Sequence, residues 1–168
     1  MEGIVFVGIQ GSGKSSFFKE RFFSTQVRIS LDLLKTRHRE RTFLEACLGT
    51  EQRFVIDDTN PTRDERIRYV EAAKAAWCSV VGYYFQSKVE DCLRRNSERS
   101  EVERVPDVAI LSMAKKLEIP TWDEGFDQLF YVRLEDQRFV VEEWRDEVVQ
   151  RPASHRGKPG GVVQQAAR

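Results

Sequence analysis

Cysteine is scarce in this sequence. Cys47, Cys78 and Cys92 are an odd number, and no C-x-x-C spacing joins any two of them. Neither a disulfide framework nor a zinc site is therefore suggested; the three read as reduced thiols in a cytoplasmic protein. Long apolar runs are also missing, and the N-terminus enters a strand without a leader, so no membrane partner is expected. There is no net charge, with 27 Lys and Arg offset by 27 Asp and Glu. That argues against a long, sequence-independent grip on a nucleic-acid duplex. No internal repeat is evident. The 168 residues, 40% hydrophobic and 32% charged, suit one well-buried domain rather than two.

The most informative stretch is Gly8-Ile-Gln-Gly-Ser-Gly-Lys-Ser15, which fits G-x-x-x-x-G-K-[ST] at every fixed position. It follows the strand-like run Ile4–Val7 and opens a helix expected over about 14–23, which is the context the motif requires. Its glycines let the backbone turn where side chains would not, so that N–H groups close on phosphate oxygens. The helix N-terminus adds partial positive charge at the same point. Gly11, Ser12, Gly13, Lys14, Ser15 and Ser16 are thus the candidate cradle of a nucleoside triphosphate. Lys14 would bridge the terminal phosphates of ATP, and the Ser15 hydroxyl would face Mg2+.

Further strands are expected at Val27–Ile29, Phe54–Ile56, Ser79–Phe85 and Leu129–Leu134. Between them, helices are expected at about 32–47, 63–76, 88–97 and from Pro106–Asp107 towards Pro120, with a closing amphipathic helix over Arg138–Gln150. Strands alternating with helices imply an α/β fold: a parallel five-stranded sheet with helices on both faces and a small helical lid. The folded domain is read as 1–150, and 151–168 as a flexible C-terminal tail. In such sheets the ligand lies beyond the carboxyl ends of the strands. There the first strand delivers the phosphate loop, the second Ser30–Asp32 and the third Asp57–Asn60.

Several charged residues near that edge carry two readings each. Asp58 is a candidate acid beside the metal, with Asp57 competing because adjacent strand residues face opposite ways; strand-end capping is the structural alternative. Asp32 suits a base that accepts a hydroxyl proton, or an acid placed at a helix start by the dipole. Arg95 and Arg99, four apart, suit a lid that stabilises transferring charge, or a solvated helix face. Arg28, Lys35, Arg37, Arg39 and Arg41 form a basic stretch able to hold one or two phosphates, or a solvated surface.

Several blocks, taken together, resemble the kinase domain of polynucleotide 5′-hydroxyl kinases, the phage enzyme and the animal kinase-phosphatase among them. They are the phosphate loop, Ser30–Lys35, Val55–Pro61, Arg95–Arg99, Val105–Pro106 and Pro120–Phe126, spread over residues 1–134. The resemblance implies a P-loop kinase fold and transfer of the γ-phosphate of ATP to the 5′-OH end of RNA or DNA, as in nucleic-acid repair. It implies Asp32 as general base, Lys35 on the acceptor's phosphate, and Arg99, with Arg95, on the donor phosphates. Asp58 joins the active site as a metal or acceptor contact, with Thr59 and Asn60 beside the acceptor. Lys14, Asp32, Asp58 and Arg99 are then the catalytic set, and Ser15 and Asp58 the metal set. Two departures stand out: Ser30-Leu31 precedes the base where the family often has Asn-Arg, and Lys35 replaces an arginine, losing bidentate geometry. Small kinases of metabolites or antibiotics share these blocks, and an ATP-dependent binding module is a third reading, disfavoured because a switch needs no acceptor base.

Overall fold

The computed structural model describes residues 1–146. Its six-stranded sheet has the order β2-β3-β1-β4-β5-β6. The strands are β1 Glu2–Val7, β2 Val27–Ile29, β3 Phe54–Ile56, β4 Ser79–Phe85, β5 Gln128–Glu135 and β6 Arg138–Glu143. The first five pair in parallel, with Ile4 opposite both Val55 and Val81, and β6 runs antiparallel to β5. The helices are α1 Lys14–Arg21, α2 Leu31–Leu34, α3 Arg37–Gly49, α4 Arg63–Ala75, α5 Val89–Ser97 and α6 Asp107–Lys116.

The strand period of two divides the core. Val5, Val7, Ile29 and Ile56 face one way and pack with Leu44 of α3 and Tyr69, Val70 and Ala73 of α4. Ile4, Phe6, Val55 and Val81 face the other way, against Phe17 and Phe18 of α1. A central strand buried on both faces needs an unbroken apolar run, which Ile4–Val7 supplies. A smaller cluster of Ile9, Cys92 and Ile110 seats the lid helices α5 and α6 beside the phosphate loop.

Two expected helices are corrected. The helix expected over 32–47 breaks at Lys35, whose φ is 70°, so α2 stops after one turn and α3 starts afresh. The local cause is Thr36, whose hydroxyl accepts from Arg39 N at 3.2 Å and caps α3. The closing helix expected over Arg138–Gln150 is a strand over Arg138–Glu143. Phe139, Val140 and Val141 are strand formers, and Asp136 and Gln137, at φ 46° and 61°, turn the chain back as a primed hairpin turn. The sheet is accordingly mixed and six-stranded rather than parallel and five-stranded. Residues 147–150 and the tail 151–168 lie outside the described residues.

Candidate functional site

The phosphate loop joins β1 to α1 and is held in shape by contacts with its neighbours. Gly11 has φ 81°, and a Cβ there would lie 2.6 Å from the carbonyl oxygen of Cys92, so backbone meets backbone with no room for a side chain. Gly13, at φ 100°, is the N-cap of α1. Ser12 is buried and its Oγ has no hydrogen-bond partner, an orphan polar atom inside the loop. Lys14 folds back, its Nζ donating to the carbonyls of Gly8 at 2.8 Å and Ile9 at 2.9 Å. Burial lowers its pKa to about 8, with the charge of Asp57 pulling the other way. Ser15 and Ser16 are exposed on the first turn of α1.

A cleft of about 260 Å3 opens beside this loop. Gly11, Gly13, Lys14 and Ser15 line it together with Asp32, Asp57, Asp58, Thr59, Asn60 and Arg99. Most of the residues expected at the site from the sequence therefore meet at one cavity, although 85 residues of chain separate Lys14 from Arg99. The lid arginine is brought in by Asn96, which is fully buried. Its amide donates to Val105 O at 2.7 Å and accepts from Val105 N at 3.1 Å, closing the loop that carries Arg99 and Glu103 back on the cleft.

The two neighbouring aspartates are separated by the strand period. Asp57 Oδ2 accepts from Ser15 Oγ at 3.2 Å and from Arg28 Nε at 2.7 Å. Asp58 instead accepts the Leu31 amide on both oxygens, at 3.0 and 3.2 Å, and so caps α2 beside Asp32. Its carboxyl is pushed up to about 7, mainly by burial, with the Leu31 amide opposing and Glu40, Asp57 and Asp32 adding to it. Of the two, the structure places Asp57 at Ser15 and not the expected Asp58, which is turned to the Leu31 amide on the opposite side of the strand end. The Ser15 hydroxyl and the Asp57 carboxylate are hard oxygen donors at a phosphate cradle, a donor set that fits Mg2+.

Three expected residues sit differently from their assigned contacts. Lys35 is exposed in the α2–α3 break and is not on the cleft lining; Arg37, two residues on, is. Arg37 Nη1 donates to Glu40 Oε2 at 2.8 Å and to the Tyr69 hydroxyl at 3.0 Å, while Tyr69 donates to the buried Glu40. Arg95 Nε donates to Gly11 O at 2.6 Å, so this arginine braces the loop backbone from α5. Asn60 is buried and its amide donates to Phe6 O at 2.8 Å, tying the end of β3 to β1. Thr59 adds to the tie, its carbonyl accepting from Gly8 N at 3.0 Å.

Arg28 and Arg66 were not singled out as site residues by the sequence. Arg28 belongs to the basic stretch, and only its place on β2 directs it to Asp57. Arg66 is fully buried and pairs bidentately with Glu124 at 2.7 Å on both arms, while its Nη1 donates to the carbonyls of Asn60, Pro61 and Glu118. It fixes the loop after β3 from behind. No helix among the described residues is long and apolar enough to cross a membrane.

Over 129 residues the chain is 29% identical to the bifunctional polynucleotide phosphatase/kinase of Schizosaccharomyces pombe, covering 74% of this chain and 32% of that one. Over 135 residues it is 30% identical to the putative bifunctional polynucleotide phosphatase/kinase of Acanthamoeba polyphaga mimivirus, covering 76% and 32%. The chain thus spans about a third of the length of these curated relatives. The fold is shared with a sugar kinase from Janibacter sp. HTCC2649, with a TM-score of 0.62 at 17% identity over 79% of this chain and 85% of that one. The AAA domain model AAA_33 matches residues 4–120, from the first strand through the lid to the segment after α6. On that match, the chain belongs to the AAA_33 family of AAA domains.

Proposed function

We propose that this chain is a kinase that transfers the γ-phosphate of ATP to the 5′-hydroxyl end of RNA or DNA. The observation that carries the reading is the single cleft on which Lys14 and Ser15, the exposed carboxylate of Asp32 and the arginines Arg37 and Arg99 all open. A phosphate cradle alone would serve binding; a cradle facing a free carboxylate has the parts for in-line transfer to an alcohol. The names of the two curated relatives favour a polynucleotide end as that alcohol.

In the proposed mechanism the loop amides and Lys14 hold the β- and γ-phosphates. Ser15 and Asp57 would hold Mg2+, which neutralises charge on the phosphates when bound. Asp32 accepts the proton of the attacking hydroxyl and orients its oxygen. Asp58 caps the one-turn helix that carries Asp32, and so positions the base. Arg99 stabilises charge on the transferring group. Arg37, rather than Lys35, is the cleft's cation for the acceptor's phosphate, and its planar fork restores the geometry that a lysine at 35 lacks.

The test is transfer of labelled phosphate from ATP to 5′-OH RNA, 5′-OH DNA and a panel of small alcohols. Asp32→Asn is expected to abolish transfer and leave ATP binding within about twofold, because only the proton acceptor is lost. Normal transfer by Asp32→Asn would remove the general base. Transfer to small alcohols without transfer to oligonucleotides would move the acceptor to a metabolite.

A further inference from the structure

Arg28 occupies the pair of groups that the metal would need. Its Nε lies 2.7 Å from Asp57 Oδ2 and its Nη2 3.1 Å from Ser15 Oγ, and the Ser15 hydroxyl itself donates to that same Asp57 oxygen. Asp57 is only 4% exposed, and burying a carboxylate is costly unless it is paired and hydrogen-bonded. Lys14 lends charge from nearby but makes no hydrogen bond to Asp57, its Nζ donating to the carbonyls of Gly8 and Ile9. Arg28, from the neighbouring strand β2, is the cation in direct contact with that carboxylate.

The arginine is also placed to leave. Its side chain is 32% exposed, and its guanidinium carbon lies 5.7 Å from the centroid of the Phe18 ring, a contact that holds the group without consuming its donors. A divalent ion cannot share the Asp57 oxygen while two guanidinium nitrogens and a hydroxyl crowd it. A free ion approaching the pair also meets the charges of Arg28 and Lys14. A metal already on a triphosphate arrives with net negative charge, and the phosphates offer the released guanidinium a new partner.

We propose that Arg28 is a displaceable resident cation: it keeps the Ser15–Asp57 pair closed to free divalent ions and yields it to a metal carried in on the nucleotide. The inference rests on the reading that Ser15 and Asp57 hold the metal. It predicts that the protein selects the metal–nucleotide complex rather than binding metal first and nucleotide second. A closed site lowers apparent affinity by the fraction of molecules in which it is open, so removing the resident cation restores the intrinsic value.

The experiment is Mn2+ binding by electron paramagnetic resonance on the full chain, with and without a non-hydrolysable ATP analogue. Wild type, Arg28→Gln, Arg28→Lys and Asp57→Asn are compared. Wild type is expected to bind Mn2+ weakly alone and tightly with the analogue. Arg28→Gln is expected to bind Mn2+ alone at least about tenfold more tightly than wild type, and Arg28→Lys to fall between, since a lysine cannot engage both partners at once. Analogue binding in EDTA reports that the variants are folded. Unchanged Mn2+ affinity in folded Arg28→Gln overturns the proposal; if that variant does not fold, unchanged affinity in Arg28→Lys does so. The two readings fail separately. If Asp57→Asn binds Mn2+ with the analogue as wild type does, the metal assignment is wrong; if Asp57→Asn loses it while the Arg28 variants gain nothing, only the resident-cation role is wrong.

Discussion

Asp57 and Asp58 are chemically identical and adjacent, yet the end of β3 gives them opposite work. Asp57 meets Ser15 and Arg28, and Asp58 meets the Leu31 amide. Strand periodicity says that only one of them faces the phosphate loop, but a period of two carries no sign; the sequence reading favours Asp58 beside the metal, and the structure puts Asp57 at Ser15 instead. Asp58 carries a titration with a definite direction. Burial raises its carboxyl from the ordinary 3.8 to about 7. The unfolded chain therefore loses this proton first, so the stability associated with it is full below about pH 4, declines as pH rises and is gone above about pH 7. Asp58→Asn removes the titration while its side-chain oxygen still accepts from Leu31. In metal-free and nucleotide-free buffer, the melting temperature of the variant relative to wild type is expected to rise from pH 4 to pH 8. A gain of at least about 3 °C across that range corresponds to about 1 kcal/mol in a domain of this size. A flat difference across it would show that Asp58 is not held out of water.

At the level of elements, the lid divides two jobs between two arginines four residues apart, Arg95 on α5 and Arg99 in the turn just past its end. Arg95 braces the phosphate loop through Gly11 O, whereas Arg99 reaches the cleft lining. Arg95→Ala is expected to raise the KM for ATP and lower the melting temperature by several degrees, because a charge-assisted bond to a half-buried carbonyl contributes about 1.5–3 kcal/mol. Arg99→Ala is expected to leave the melting temperature within about 1 °C and to lower kcat about 10²–10³-fold, the usual loss for a donor aimed at developing charge. Steady-state kinetics and thermal melts on both variants separate the two; matching profiles would mean that α5 and the turn after it act as one unit. The helical spacing of 95 and 99 was visible in the sequence, but not that a carbonyl 84 residues away takes one of them. The β5–β6 hairpin was hidden for a different reason. Asp136 and Gln137 adopt positive φ without a glycine, so the turn lacks its strongest local mark. Gln137→Gly should relieve about 1 kcal/mol of left-handed backbone cost and raise the melting temperature by about 2–4 °C; no rise would mean that the turn is not strained at Gln137.

Across the whole molecule, the parts that were legible are those whose signal is local. Short apolar runs between turn residues placed β1 to β5, helical spacing placed α1 and α4 to α6, and the glycine pattern placed the cradle. The Arg66–Glu124 clamp has no such signal, since its partners lie 58 residues apart and neither charge differs from a surface one in sequence; only the block Pro120–Phe126 stood out, without a role. Yet this clamp connects the site to the body of the fold. Arg66 binds the carbonyls of Asn60, Pro61 and Glu118, Asn60 binds Phe6 O, and Thr59 O receives Gly8 N, so α4, the loop after β3, β1 and the phosphate loop form one chain of bonds. Arg66→Ala leaves Glu124 as an unpaired buried charge and three carbonyls without this donor, and is expected to cost about 3–5 kcal/mol in urea melts. Arg66→Met with Glu124→Leu removes both charges and refills the volume, which for an isolated buried pair is often neutral. Here the carbonyls remain unserved, so the double variant should recover only part of the loss and stay about 1–3 kcal/mol below wild type. Full recovery would reduce Arg66 to a counter-charge for Glu124. A persistent deficit, accompanied by weaker ATP binding, would identify it as the brace that holds the Asp57–Asn60 loop against the phosphate cradle.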